Sequence, residues 1–216
     1  MPKDYLRERI SEIIGEVPNK NVVVDRFIET YNAPYRKYHN MNHIVKCLDS
    51  ISYAIPIFDN YRIEGENLIQ IAILYHDYVY NPLATNNELY STSAIKRDFS
   101  FSHINREKRE MISNMIMATT HNPKMELTIY DKYICDVDLH QLGSGLNEFL
   151  LNENNIREEY HMIPDEIFYP GRSKILQGFL DRDNIYYIKG FGNKFESNAR
   201  RNIKYVLDRI DVFSVE

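Results

Sequence analysis

Residues 65–82 read GENLIQIAILYHDYVYNP, and this stretch constrains the fold more than any other. Its apolar residues cover nearly the whole circumference of a helix. Such a helix cannot lie on a surface; other elements must surround it. The rest of the chain supplies candidates. Apolar residues recur at three- and four-residue steps in YLRERISEIIGEV, which stops at Pro18, and in NVVVDRFIETYNA, which opens on an Asn and ends before Pro34. A third helix is expected from near His39 through HIVKCLDSIS. After the loop NPLATNN, Asn86 or Asn87 is placed to cap ELYSTSAIKRDF, and NREKREMISNMIMATTH halts at Pro123. LTIYDKYICDVDLHQLGSG predicts a helix ending at the Gly143–Gly145 turn, and three more helical segments follow it. NVVVD and NIYYIKG have strand-like composition but stand isolated. The expected class is all-α, a helical bundle in one domain spanning 1–216.

With 44% hydrophobic and 26% charged residues, the chain has an ordinary globular balance. A net charge of −5 gives no basic surplus, so a nucleic-acid partner is not expected. No apolar run approaches the ~18 residues that cross a bilayer, so no membrane partner is expected either. The N-terminal MPKDYLRERI lacks the apolar core of a signal peptide. The only cysteines, Cys47 and Cys135, each lie in an apolar helical context and read as buried free thiols. A cytoplasmic location is expected.

Inside the apolar stretch stand His76 and Asp77, an imidazole and a carboxylate that suit a divalent transition ion or magnesium. Taken alone, a His-Asp pair reads first as a buried histidine paired to a carboxylate in the core. Two other segments add to it. YRKYHNMNHI puts His39 and His43 one helical turn apart on one face. CDVDLHQLG puts Asp136, Asp138 and His140 at the end of an apolar helix. The order is therefore His, then His-Asp, then Asp, on separate helical segments that must converge to make a site.

This order resembles the HD-domain superfamily of metal-dependent phosphohydrolases, whose signature is H…HD…D on an all-α scaffold. The segments RKYHNMNHI, AILYHDYVYNP…NNE, ATTHNP, DVDLHQLG, IREEYHMI, GRSKILQGFL and NARRNI are similar to the motif series of one HD phosphohydrolase family, and they span about 34–203. The resemblance implies a metal-site core over about 34–145, with C-terminal helices over about 146–213 packed on it. It implies a divalent ion (Mn, Mg, Co, Ni, Fe or Zn) held by His39, His76, Asp77 and Asp138. His43 stays open as the alternative first ligand and is otherwise grouped with the substrate-facing residues. Asp136 is the alternative to Asp138.

The implied reaction is hydrolysis of a small phosphate ester, a nucleotide foremost, by water activated on the metal. Asp77 and Glu88 are the expected catalytic acids. Glu88 opens the helix after the doublet, where an acid also favours the helix dipole. Arg36 is a candidate phosphate clamp, because a guanidinium forks onto phosphate oxygens. His121 is a candidate for phosphate or for a second ion. Arg157, Tyr160 and Arg172 are candidate pocket walls, with surface ion pairs as the plainer reading. The expected partner is a small phosphorylated molecule, with self-association left open. Two other functions fit the same residues: an HD-type di-iron oxygenase, for which His103 and His121 lie in the required interval, and a nucleotide-binding regulatory module without turnover.

Overall fold

The computed structural model describes residues 3–53, 62–100, 102 and 104–213. Among these no strand forms, and the fold class is all-α. The helices are α1 (Lys3–Ile14), α2 (Lys20–Tyr31), α3 (Met41–Ser50), α4 (Arg62–Tyr75), α5 (Asn87–Asp98), α6 (Arg106–Ala118), α7 (Ile129–Leu139), α8 (Leu146–Glu159), α9 (Asp165–Leu180) and α10 (Lys189–Phe213). A 3₁₀ turn, His140–Gly143, follows α7. The strand-like NVVVD lies within α2. His103 lies outside the described residues. No helix is long and apolar enough to cross a membrane among the described residues. The chain divides into two compact units, Met1–Asp138 and Leu139–Glu216.

In the first unit α4 packs against α1, α3, α5 and α6, as its apolar circumference requires. Leu68, Ile69 and all of Ile71 to Tyr75 are buried. Burial of each large side chain contributes roughly 1.5–3 kcal/mol. Phe27 of α2 meets Tyr75 edge-on, with ring centroids 4.7 Å apart. Both cysteines are free and buried.

Polar groups decide where the helices begin and end. Gly15, at φ 66°, closes α1 and donates its N–H to Ser11 O and Glu12 O. Asn105 caps α6 by accepting from the Lys108 N–H at 2.9 Å. At the start of α7, the Asp131 carboxylate accepts the Thr128 N–H at 2.9 Å, while the Thr128 hydroxyl accepts the Asp131 N–H at 3.3 Å.

Two of the sequence expectations about helix boundaries are corrected. The third helix does not begin near His39. Asn40 is extended and caps α3, accepting from the N–H groups of Asn42 and His43. His39 therefore precedes the helix and does not share a helical face with His43. The second correction concerns His76 and Asp77, which lie just past the C-terminus of α4 instead of in mid-helix.

The second unit is tied by side-chain to main-chain bonds. Asn202 of α10 donates to Leu142 O and Ser144 O, each at 2.9 Å. A Cβ on Gly143 would lie 2.6 Å from Phe195 Cβ and from Phe195 O, so the 3₁₀ turn meets α10 only through a glycine. Arg200 pairs with Glu196 at 2.7 Å and also donates to the carbonyls of Leu180, Arg182 and Asp183. Glu196 in turn accepts the N–H groups of Ile185 and Tyr186. This pair secures the α9–α10 loop, a larger role than an isolated helix ion pair.

One buried polar cluster holds the first unit together away from the His-Asp doublet. Asp98, at the end of α5, accepts from Arg26 of α2 at 2.8 Å, from Tyr75 of α4 at 2.9 Å and from its neighbour Arg97 at 2.7 Å. Burial pushes the Asp98 carboxyl upward, but Arg97, Tyr75 and Arg26 outweigh it and hold the group below its ordinary value. Its contribution to stability is thus present above the ordinary carboxylate range and is lost as the pH falls through the depressed folded value. Asp98→Ala removes the acceptor and leaves the buried Tyr75 hydroxyl without it, while the Arg26 and Arg97 side chains remain partly exposed to water. Chemical denaturation of this variant is expected to show a loss of roughly 1–3 kcal/mol, with a flatter acid limb than the parent.

Candidate metal centre

The site is built from the way α4 ends. The last four carbonyls of a helix have no partner within it, and in an apolar interior each needs one. Here Ala72 O accepts the His76 N–H at 2.9 Å, and Tyr75 O accepts the Tyr78 N–H at 3.1 Å. Leu74 O accepts the Tyr31 hydroxyl at 2.7 Å. Ile73 O is met by His76 Nδ1 at 2.8 Å. A carbonyl can only accept, so His76 carries its proton on Nδ1. Its Nε2 lone pair is then turned to the opposite side of the ring.

On that side three groups converge. His43, His76 and Asp138 each offer a ligand atom within 4.8 Å of the other two, an arrangement that can hold a metal ion. His43 Nε2 lies 3.3 Å from His76 Nε2. Asp138 Oδ1 is 3.4 Å from His43 Nε2 and 3.5 Å from His76 Nε2. Asp77 Oδ2 joins them, 3.0 Å from His76 Nε2 and 3.5 Å from His43 Nε2. Both imidazoles are buried, whereas the Asp77 and Asp138 side chains keep exposures of 17% and 21%. The cluster thus opens on its carboxylate side.

Two observations fit a cation here. Asp77 Oδ2 is buried and faces the two imidazoles, 3.0 Å from His76 Nε2, without an aligned hydrogen bond. His76 Nε2 also faces two carboxylates, whose charge either a proton or a metal ion at that nitrogen offsets. Burial pushes the His76 imidazole down, but Asp77 and Asp138 override it and raise the group well above its ordinary value. Burial pushes Asp77 up, and His76, His39 and His43 bring it below the usual carboxylate range. Asp138 is likewise pushed up by burial and brought well below that range by His121, His43 and His76. A proton on His76 competes with a metal ion, so ion capture weakens as the pH falls.

The remaining candidates fall into place around this cluster. His39 lies outside the three-residue group; its ring is 6.0 Å from that of His43 and 4.3 Å from that of Tyr80. Asp136 is fully buried and also outside that group, so Asp138 is the aspartate beside the histidines. His121 Nε2 reaches the other Asp138 oxygen, Oδ2, at 3.0 Å. Glu88, in the first turn of α5, has its carboxyl raised by burial and then by the charges of Asp77 and Asp138. Cys47, one turn along α3 from His43, places its Sγ 3.6 Å from His43 Nε2 and 3.6 Å from Val137 O. Burial raises this thiol well above its ordinary value.

Arg36 has a different role from the phosphate clamp expected of it. It is 4% exposed, and its guanidinium donates to His39 O at 3.0 Å, Asp77 O at 2.7 Å and Tyr78 O at 2.9 Å. The rings of Tyr31, Tyr35 and Tyr80 lie 5.0, 6.0 and 5.4 Å from its Cζ. The fork thus fastens the doublet's backbone to the loop before α3. Nothing in the sequence pattern separates this role from phosphate binding, because both use a forked cation beside the doublet.

Arg157, Tyr160 and Arg172 belong to the second unit. Arg157 donates to Asp165 Oδ1 at 2.9 Å and to the carbonyls of Tyr160 and Ile163, joining the end of α8 to the start of α9. The Tyr160 ring stands 5.6 Å from that of Phe168. Arg172 forks onto Glu153, with its Nε at 2.9 Å. Both arginines thus make ion pairs within the second unit, Arg157 with Asp165 and Arg172 with Glu153.

Comparison with protein-family models, with curated proteins and with solved structures found no match.

Arg36→Lys keeps the charge and loses the fork. A single ammonium cannot copy three contacts aimed at carbonyls on two segments. Calorimetric titration with Mn²⁺ is expected to show affinity reduced by ~10-fold or more, the usual size of such indirect effects. The melting temperature is expected to fall with it.

Proposed function

We propose that the chain is a metal-dependent phosphohydrolase acting on a small phosphate ester, a nucleotide foremost, with water as the nucleophile. The carrying observation is the convergence of His43, His76 and Asp138, with Asp77 Oδ2 beside them at 3.0 Å from His76 Nε2. In this reading His43, His76, Asp77 and Asp138 hold the ion, and His43 takes the place the resemblance gave to His39. Two imidazoles with two carboxylates suit Mn, Fe, Co, Ni or Zn better than Mg, which favours oxygen ligands. Such an ion supplies Lewis acidity toward a phosphoryl oxygen and toward water.

The chain's own residues do the rest. The Nδ1–H of His76, held by Ile73 O, fixes the ring so that Nε2 stays available. Arg36 keeps the doublet's backbone in place. Glu88 takes a proton at its carboxylate and returns it to the leaving oxygen. Its raised pKa brings it closer to the neutral range in which a carboxyl serves both directions.

A panel of nucleotides and simple phosphate esters, assayed with Mn²⁺, Mg²⁺, Co²⁺ and Ni²⁺, is expected to release phosphate or nucleoside. Asp77→Ala is expected to abolish both metal content and turnover while leaving helical circular dichroism intact. Glu88→Gln is expected to slow turnover by roughly 10²–10⁴-fold with metal content unchanged. Full activity in Asp77→Ala contradicts the proposal, and two irons per chain with no phosphate release points to the oxygenase chemistry instead.

A further inference from the structure

We propose that His121 is a positioning residue, whose imidazole pins one oxygen of Asp138 so that the other is presented to His43 and His76. The inference rests on the metal-site reading above. Asp138 is divided between two neighbourhoods: Oδ1 stands 3.4 and 3.5 Å from the Nε2 atoms of His43 and His76, and Oδ2 stands 3.0 Å from His121 Nε2. An aspartate carboxyl turns easily about its last torsion, which is broad and roughly two-fold. Something must stop it turning if one oxygen is to serve as a ligand. A carboxylate only accepts, so His121 presents an Nε2–H to it. That is the opposite tautomer to His76, whose proton lies on Nδ1. His121 therefore cannot offer Nε2 to an ion while it holds Asp138.

The backbone supports a constrained role. His121 follows α6, donates its N–H to Ala118 O at 2.9 Å and has φ 51°. In this left-handed region glycine is at ease and a side chain is held only by its surroundings. A glycine would end α6 with less steric conflict. The chain instead keeps an imidazole there, and its Nε2 reaches Asp138.

The same backbone geometry gives a clean deletion. His121→Gly keeps the left-handed turn without steric cost and removes the ring alone. His121→Gln restores an N–H donor at comparable reach. Mn²⁺ titration of the wild type and both variants, with circular dichroism as a fold check, tests the proposal. The expected result is affinity weakened by ~10–100-fold in His121→Gly, an unchanged number of ions per chain, and recovery of most of the affinity in His121→Gln. Unchanged affinity in His121→Gly overturns the proposal. A fall in the number of ions per chain also overturns it, because His121 would then be a ligand itself. A wild-type protein that takes up no ion defeats the metal-site reading first, and this inference with it.

Discussion

The C-terminus of α4 is the constraint on which the first unit depends. The last turn of α4, Ile71 to Tyr75, is buried, so its last four carbonyls must find donors inside the protein. The chain answers with the His76 and Tyr78 N–H groups, the Tyr31 hydroxyl and the His76 ring. One of these donors is an imidazole, and that has a chemical consequence. By fixing its Nδ1–H on Ile73 O, the helix end aims Nε2 at Asp77, Asp138 and His43. The same contact that completes the fold orients the site.

Around that helix end, partners are arranged in an outer layer. Arg36 binds the carbonyls of Asp77 and Tyr78, the two residues next in the chain, and ties them to His39 O. Asn40 caps α3 and sets where His43 emerges. His121 contacts Asp138 from the turn after α6. Each uses hydrogen bonds to fix a group that would otherwise rotate or fray, which is how outer partners tune a metal site. The cluster at Asp98 performs a separate task, joining α2, α4 and α5 without taking part in the convergence.

Much of this was legible in the residues. The all-round apolar pattern of residues 68–75 required a surrounded helix, and Leu68, Ile69 and Ile71 to Tyr75 are buried. That His76 would meet an aspartate near the end of α7 was readable from residue type and order, with Asp136 and Asp138 both open; the structure groups it with Asp138. What was not readable depended on backbone detail. Asn40 looks like any loop asparagine in sequence, yet its cap removes His39 from the α3 face. The end of α4 at Tyr75 has no proline or glycine to mark it, because tertiary donors terminate the helix in place of a local breaker. Arg36 offered a charge beside the doublet, but only coordinates tell whether a guanidinium faces a carbonyl or a cavity. Arg157 and Arg172 were ambiguous for the same reason: their partners Asp165 and Glu153 lie 8 and 19 residues away.

The most direct test is a crystal structure of the protein grown with Mn²⁺, with anomalous scattering used to locate the ion. The expected result is one peak about 2.0–2.3 Å from the Nε2 atoms of His43 and His76 and from oxygens of Asp77 and Asp138, within the usual range for such bonds. His76 Nδ1 should still be bound to Ile73 O. A well-ordered site with no peak at these four residues, or a peak held by a different set, contradicts the assignment.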